Sequence, residues 1–120
     1  MRIQTRTLGC LAGSVLAVVL SSQSVQAQGA AMHWGAMDLE TSVNNCLGRA
    51  KKAFSDAQLQ SVQHTGWQSY GVKGSANVLV SCSNGAKGSY LVVVAASPDS
   101  KAAELLRNDI RSRIASMREF

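Results

Sequence analysis

The stretch NVLVSCSNGAKGSYLVVVAA, residues 77–96, decides the fold. Two runs rich in valine flank residues 84–88, where asparagine, lysine and two glycines favour a tight turn. The stretch therefore predicts a hairpin of two antiparallel strands, 77–83 and 89–96. Upstream of it, residues 58–65 have the composition of a third extended segment.

Amphipathic helices are predicted on both sides of this extended region. The first begins at Asp38 as its N-cap, and the second begins with Ser97 as a cap and Pro98 in its first turn. Their apolar residues recur every three or four positions, which is the spacing of one helix face. The stripes comprise Leu39, Val43, Cys46, Leu47, Ala50 and Phe54 in the first helix, and Ala103, Leu106, Ile110, Ile114 and Met117 in the second.

Two glycine-bearing segments are not assigned to strands. Residues 28–37 predict an extended lead-in, in which a short pairing strand is left open, and residues 66–75 predict a flexible segment. The remaining elements follow the order α-β-β-β-α. The expected fold class is α+β, with a three-stranded antiparallel sheet and both helices on one face, in a single domain of residues 38–120.

Residues 1–27 have the organisation of a cleaved export signal. Two arginines precede an apolar run, 8–20, and small residues end at Ala27. The run is too short to span a bilayer. We therefore expect cleavage after Ala27 and a periplasmic or secreted protein without a stable membrane anchor. Lipid attachment at Cys10 is the open alternative, although the apolar run mostly follows Cys10 instead of preceding it.

Two cysteines remain after cleavage, Cys46 and Cys82, and an even pair in an oxidising compartment predicts one disulfide. Because side chains alternate along a strand, Cys82 shares its face with two valines, while Leu79 lies on the opposite face. A bond from the first helix to Cys82 places that helix on the cysteine face. The opposite face then retains Leu79 together with one of the two alternating sets of the last strand. These sets are Leu91 with Val93, and Tyr90 with Val92 and Val94.

The last strand is apolar on both sides, so one set of its side chains is expected on an uncovered face. An exposed apolar patch on a small soluble protein is typical of a partner-binding surface. The segment 66–74 adds two aromatic rings and a lysine, a composition favoured in recognition, although the same rings could simply cover an edge of the core. The candidate recognition residues are Trp67, Tyr70, Lys73, Leu79, Tyr90, Val92 and Val94.

The residues that could carry chemistry form no diagnostic motif. Met32, His33 and Met37 would suit reduced copper, but no two strong ligands stand at a diagnostic spacing. His64 could enter a triad with a serine and an aspartate, yet no nucleophile-elbow pattern is present. Residues 85–89 resemble part of a phosphate loop but connect two strands, which a hairpin turn explains. We therefore expect no enzyme activity, no cofactor and no metal.

Basic residues are in modest excess. The chain has 12 Lys and Arg against 7 Asp and Glu, and cleavage after Ala27 removes two of the basic residues, which leaves a net charge of +3. With no run of like charges, a nucleic-acid partner is not expected. On the second helix Glu104, Arg107, Arg111 and Arg118 share an arc that could meet an anionic lipid or polymer, although acidic neighbours favour a solvated face.

The arrangement resembles short exported proteins of unknown function from Gram-negative bacteria. The shared features are a signal peptide, a cysteine within a first amphipathic helix (Cys46), a strand that ends in cysteine (Cys82), a valine-rich strand (91–96) and a terminal helix with paired arginines (98–117). The resemblance implies a periplasmic location and supplies no activity or functional residues.

The two-sided apolar strand sets the functional expectation. We expect a non-catalytic module that binds an envelope protein or a second copy of itself through an uncovered sheet face. The alternative is a small-ligand or metal carrier that uses the segment 66–74 or the segment 32–37.

The export signal makes a direct prediction. Protein recovered from an exporting host should begin at Gln28, because the small-residue pattern places the cut after Ala27. Mass spectrometry of the intact chain should give the mass of residues 28–120 with both cysteines oxidised. A mass that includes the first segment, or lipid on Cys10, would contradict the prediction.

Overall fold

The computed structural model describes residues 30–118, which form an α+β domain. The elements follow the order β-α-β-β-β-β-α. Neither described helix is long and apolar enough to cross a bilayer. The predicted signal peptide lies outside the described residues. The elements are β1 (Ala31–Leu39), α1 (Val43–Asp56), β2 (Gln60–His64), β3 (Gln68–Lys73), β4 (Ala76–Gly85), β5 (Gly88–Ser97) and α2 (Ser100–Ser116).

The five strands form one antiparallel sheet in the order β1-β5-β4-β3-β2. The predicted three-stranded sheet with element order α-β-β-β-α is therefore wrong, because β1 and β3 were not assigned as strands. β1 pairs with β5 along its full length of nine residues, so the predicted lead-in is mostly an edge strand of the sheet. β4 and β5 form the predicted hairpin and lie next to each other inside the sheet.

Strand β3 is not predicted from the sequence, because its glycine resembles a turn residue but lies inside a strand. Gly71 lies inside the strand and is buried beneath α1. A Cβ added there would lie 3.0 Å from Leu59 and 3.3 Å from Phe54, so the position needs a residue without a side chain. By contrast, Gly74 has φ +59° and belongs to the β3–β4 turn, where a positive φ favours glycine.

Both helices pack on one face of the sheet. α1 lies over β3, β4 and β5, while α2 lies over β1, β4 and β5 and also contacts α1. The apolar side chains of β4 and β5 on this face are buried, so the two strands form the floor of the core. The largest buried side chains are Phe54, Leu91, Ile110, Ile114, Val78, Val80 and Val93.

The predicted disulfide between Cys46 and Cys82 is confirmed. The Cα atoms are 6.1 Å apart and the S–S distance is 2.05 Å, and the bond joins α1 to β4, the central strand of the five. Both cysteines are buried among the core residues. The bond therefore ties the first helix to the middle of the sheet.

Both helices begin later than the sequence predicts. Asp38 is not an N-cap, because β1 continues to Leu39; the cap of α1 is Ser42, whose hydroxyl accepts from a first-turn N–H at 3.1 Å. The cap of α2 is Asp99 instead of Ser97, and its carboxylate accepts from the N–H two residues on at 3.0 Å. Ser97 remains in β5, where its buried hydroxyl accepts from the Asp99 N–H.

The disulfide makes a stability prediction. The bond closes a loop with a sequence separation of 36, so the variant with Cys46→Ala and Cys82→Ala should lose about 4 kcal/mol of unfolding free energy on the chain-entropy model. Guanidinium titration followed by tryptophan fluorescence measures the change. Reduced wild-type protein is the matched control and should lose a similar amount. A loss below about 1 kcal/mol in both samples would contradict the prediction.

Candidate functional site

The sheet face opposite the helices, here called the open face, carries a row of four large apolar side chains. Trp34 of β1 lies opposite Val94 of β5, which in turn lies opposite Leu79 of β4. Leu79 lies opposite Tyr70 of β3. Directly opposed residues of antiparallel strands point to the same face, with Cβ atoms about 5 Å apart. The row is therefore continuous across four strands.

The open face is not polar in the way a solvated sheet face usually is. Trp34 is 66% exposed, and Met32, two residues along the same strand, is 69% exposed. Val94 and Leu79 are half-buried, flanked in the row by Trp34 and Tyr70. Antiparallel sheets with one solvated side normally alternate apolar side chains inward and polar side chains outward. This sheet departs from that alternation along the row, whereas the open-face positions of β4 on either side of Leu79 are polar, Asn77 and Ser81.

Charge is nearly absent from the open face. The pairing register places Asp38 at one corner, opposite Tyr90, and among the described strand residues no other carboxylate, ammonium or guanidinium group belongs to this face. The centres of protein interfaces differ from ordinary surface in that charged residues are depleted, while aromatic residues and methionine are enriched. The open face therefore has the composition of an interface.

The structure brings most of the candidate recognition residues together. Tyr70, Leu79, Val92 and Val94 share the open face with Tyr90, which is 40% exposed at its rim. Of the two possible β5 sets, the one on this face is thus Tyr90, Val92 and Val94, while Leu91 and Val93 are buried beneath the helices.

Two candidate residues lie elsewhere. Lys73 is on the helix side, where its Nζ donates to the carbonyl oxygen of Ala57 at 2.9 Å. Trp67 lies between β2 and β3 and is 57% exposed; its carbonyl oxygen accepts from the Cys82 N–H at the end of the β3–β4 pairing. Neither side chain belongs to the row.

Sequence reasoning missed Trp34 and Met32 as members of this face. The signal in the sequence is alternation, because Met32, Trp34 and Ala36 occupy every second position of the predicted extended lead-in. Gly35 hides the alternation, since it contributes no side chain on the other face. A strand assignment for this segment would have placed both residues beside β5.

The residues considered for copper do not converge. Met32 is on the open face, whereas His33 and Met37 are on the helix side of the same strand. The His33 Nε2 atom is hydrogen-bonded to the Ser100 hydroxyl at 2.9 Å. Within residues 30–118, no three His, Cys, Asp or Glu side chains come close enough to hold a metal ion.

His64 also contacts a serine, with its Nδ1 atom 2.7 Å from the Ser69 hydroxyl. Ser69 is only 1% exposed, so its oxygen cannot reach a substrate carbonyl. Within residues 30–118, the ring of His64 contacts Ser69 and the ring of Phe54, whose centroid is 6.1 Å away, and neither partner is a carboxylate. The contact therefore lacks the orienting acid and the accessible nucleophile of a hydrolytic triad.

A separate apolar cleft of about 410 Å³ lies between the β3–β4 turn and α2. Its walls are mostly hydrocarbon, and two opposite charges, Lys73 and Asp109, stand at its border. Asp109 is already paired with Arg113 at 2.9 Å. The lining residues are Lys73, Ala76, Ala102, Leu105, Leu106 and Asp109.

The environment of His64 makes a pH prediction. Burial, and secondly the positive charge of Lys51, lower the pKa of His64 below its ordinary value of 6.5. Folding thus favours the neutral ring of His64. The contribution of this ring to the unfolding free energy is complete above pH 6.5 and is lost as the pH falls toward the lowered pKa. NMR titration of the ring Cε1 proton should show the lowered pKa. Lys51→Gln should raise this pKa, whereas Lys87→Gln in the β4–β5 turn should leave it unchanged; equal curves in all three proteins would contradict the prediction.

Comparisons with known proteins assign no role to these residues. The chain matches no protein-family model, and no curated protein matches it. The function is therefore argued from the geometry of the described residues.

Proposed function

We propose that this protein is an exported, non-catalytic interaction module that binds an envelope protein, or a second copy of itself, through the open face. The observation that carries the proposal is the continuous row of Trp34, Val94, Leu79 and Tyr70 on a sheet face that neither helix covers. Large apolar side chains held in water on a rigid sheet are stabilised when a partner surface covers them.

The exposed fractions of these side chains allow an estimate of the free energy that a partner would gain by covering them. Covering one large apolar side chain such as Met32 contributes about 1.5–3 kcal/mol, and the row offers several such side chains within one surface. Binding also costs translational and rotational freedom, so only a contiguous patch produces a stable complex. The open face supplies such a patch, whereas Leu105 and Trp67 are exposed singly, away from the row.

The proposed location rests on two independent features. Residues 1–27 have the organisation of an export signal, and a disulfide such as Cys46–Cys82 persists in oxidising compartments such as the periplasm. In that compartment, candidate partners are other envelope proteins.

A small-ligand carrier is the second candidate, and the apolar cleft beside α2 is the observation that favours it. The cleft has the size of a small-molecule site and a mostly hydrocarbon lining. It is distinct from the open face, because its walls belong to the helix side of the sheet and to α2. The two candidates therefore predict different sensitive residues.

Paired substitutions test the interaction module. A variant with Met32→Gln and Trp34→Gln should lose self-association in sedimentation velocity, or lose a partner that the wild-type protein retains after cross-linking in the envelope. Both side chains are more than half exposed, so the stability cost should be small. The matched control carries Leu105→Gln and Trp67→Gln, which removes two apolar side chains that are also more than half exposed but lie outside the row, and it should behave as wild type.

Two outcomes would overturn the proposal. One is a wild-type protein that is monomeric and cross-links to the same proteins as the Met32 and Trp34 variant. The other is a small apolar ligand that raises the melting temperature of the wild type and of that variant but not of the control variant, since Leu105 lines the cleft. The second outcome would favour the carrier.

A further inference from the structure

Among the described strands, none pairs with the outer edge of β1. Gly85 and Gly88 flank the two-residue turn between β4 and β5. The N–H of each therefore bonds to the C=O of the other. Such hydrogen-bonded pairs recur at every second pair along the hairpin. Leu79 and Val94 are such a pair, so the backbone groups of Val94 point toward β4 and not toward β1. Opposite Val94, the N–H and C=O of Trp34 must therefore point away from the sheet.

The same alternation applies along the whole of β1. The N–H and C=O groups of Met32, Trp34 and Ala36 all face outward, and these are the residues whose side chains lie on the open face. β1 is regular over its nine residues. A regular edge strand is a template for an added strand.

The opposite edge of the sheet is different. The pairing of β2 with β3 shifts register between Gln60 and Gln63, and Ser61 has a positive φ of 52°. Bulges of this kind twist an edge and prevent another strand from pairing along it. The sheet therefore has one protected edge, β2, and one regular edge, β1.

Two arginines of α2, here called the edge arginines, converge on the regular edge. A Cβ built on Gly35 would lie 3.3 Å from the Nη1 atoms of both Arg107 and Arg111. Arg107 Nη1 also donates to the outward-facing carbonyl oxygen of Trp34. Gly35 leaves the room that both guanidinium groups occupy.

The edge arginines have no carboxylate partner among residues 30–118. The ion pairs in this range join Lys52 with Asp56, Lys101 with Glu104, and Arg113 with Asp109. Arg107 donates instead to neutral oxygens, those of Trp34 and Asn108. Glu104, one turn before Arg107, has its pKa lowered mainly by its hydrogen bond and ion pair with Lys101, and it also feels the charge of Arg107. Two neighbouring guanidinium groups that form no ion pair of their own can receive a carboxylate.

We propose that the β1 edge binds an extended acidic segment of a partner protein, which adds to the sheet as a sixth strand. Its backbone pairs with the outward groups of β1. On one side it places a carboxylate on the edge arginines, and on the other it places an apolar side chain beside Trp34. The inference rests on the proposed function and names its partner class: an extended peptide with alternating apolar and acidic residues.

Charge argues against a second copy at this edge. Two β1 strands paired edge to edge would bring the edge arginines of both copies together, and like charges placed in this way are unfavourable. β1 offers no carboxylate in return, because its one acidic residue, Asp38, is on the open face. The helix-side positions of β1 are Ala31, His33, Gly35, Met37 and Leu39.

The outward carbonyl oxygen of Trp34 accepts a hydrogen bond from Arg107. A carboxylate forms a stronger, charge-assisted hydrogen bond with a guanidinium group than a neutral carbonyl does. An acidic strand therefore draws Arg107 away and frees the carbonyl oxygen for its own N–H.

Peptide binding tests the proposal. The chain has two tryptophans, so in a Trp67→Phe background Trp34 is the sole tryptophan and reports on the β1 edge. The probe is a nine-residue peptide of alternating valine and glutamate, added to the full chain as purified oxidised from an exporting host. We expect a blue shift of Trp34 emission, and binding about tenfold or more tighter than for the same peptide with lysine in place of glutamate.

Two controls assign the effect to the edge. Arg107→Gln with Arg111→Gln should abolish the preference for glutamate over lysine, whereas Lys51→Gln with Lys87→Gln removes the same charge from two exposed sites elsewhere and should retain it. Methylation of every second peptide nitrogen should weaken binding for one of the two possible sets and not for the other, because an added strand pairs through alternate residues.

The failing outcomes are separable from failure of the proposed function. Two outcomes overturn the strand-addition proposal and leave the open face intact as a binding surface. One is a glutamate peptide that binds no better than the lysine peptide, and the other is a preference for glutamate that is equal in the arginine double variant and the lysine double variant. A wild-type dimer that tightens when the edge arginines are replaced would also overturn it, because a second copy would then occupy the edge.

Discussion

The disulfide between Cys46 and Cys82 is the constraint from which the two faces of the sheet follow. It joins α1 to the central strand, so the cysteine side of β4 must be the helix side. The pairing of β4 with its neighbours then determines which side chains of the other strands are on the helix side, because directly opposed residues share a face. Leu79, next in alternation, is left on the open face together with its neighbours Val94 and Tyr70. One covalent bond thereby decides which side of five strands meets water.

The second helix lies on the same side of the sheet and is joined to the first helix by a buried polar contact. Arg49 of α1 is almost fully buried, and its Nη1 atom donates to the carbonyl oxygen of Ile114 in the last turn of α2, at 3.2 Å. A cation at the C-terminal end of a helix is favoured, because the last carbonyls lack intrahelical partners. The contact joins α2 to α1, and α2 in turn reaches across β5 to the edge strand, where its arginines stand.

Sequence reasoning reached the parts of this fold that depend on local pattern. The valine runs around residues 84–88 predicted the β4–β5 hairpin, and the cysteine pair with strand alternation placed Leu79 on the uncovered side. It failed for β1 and β3, whose glycines resemble turn residues but are needed because α1 and α2 pack closely over them. It misplaced both N-caps for a related reason, since strands β1 and β5 extend through the positions where caps were expected. Those boundaries are decided by pairing between distant segments, which periodicity does not record.

Trp34 links the two surfaces described above, and this makes the missed strand the most informative part of the molecule. Its indole ring ends the row on the open face, while its carbonyl oxygen faces outward at the regular edge and accepts from Arg107. A partner that covers the open face near β1 therefore lies beside the position where an added strand would run. A segment bound at the edge extends the sheet, and it also lengthens the apolar row by one side chain. Because both contacts bury the same indole, occupation of one site changes the exposed area available to the other, and the two should be coupled in affinity.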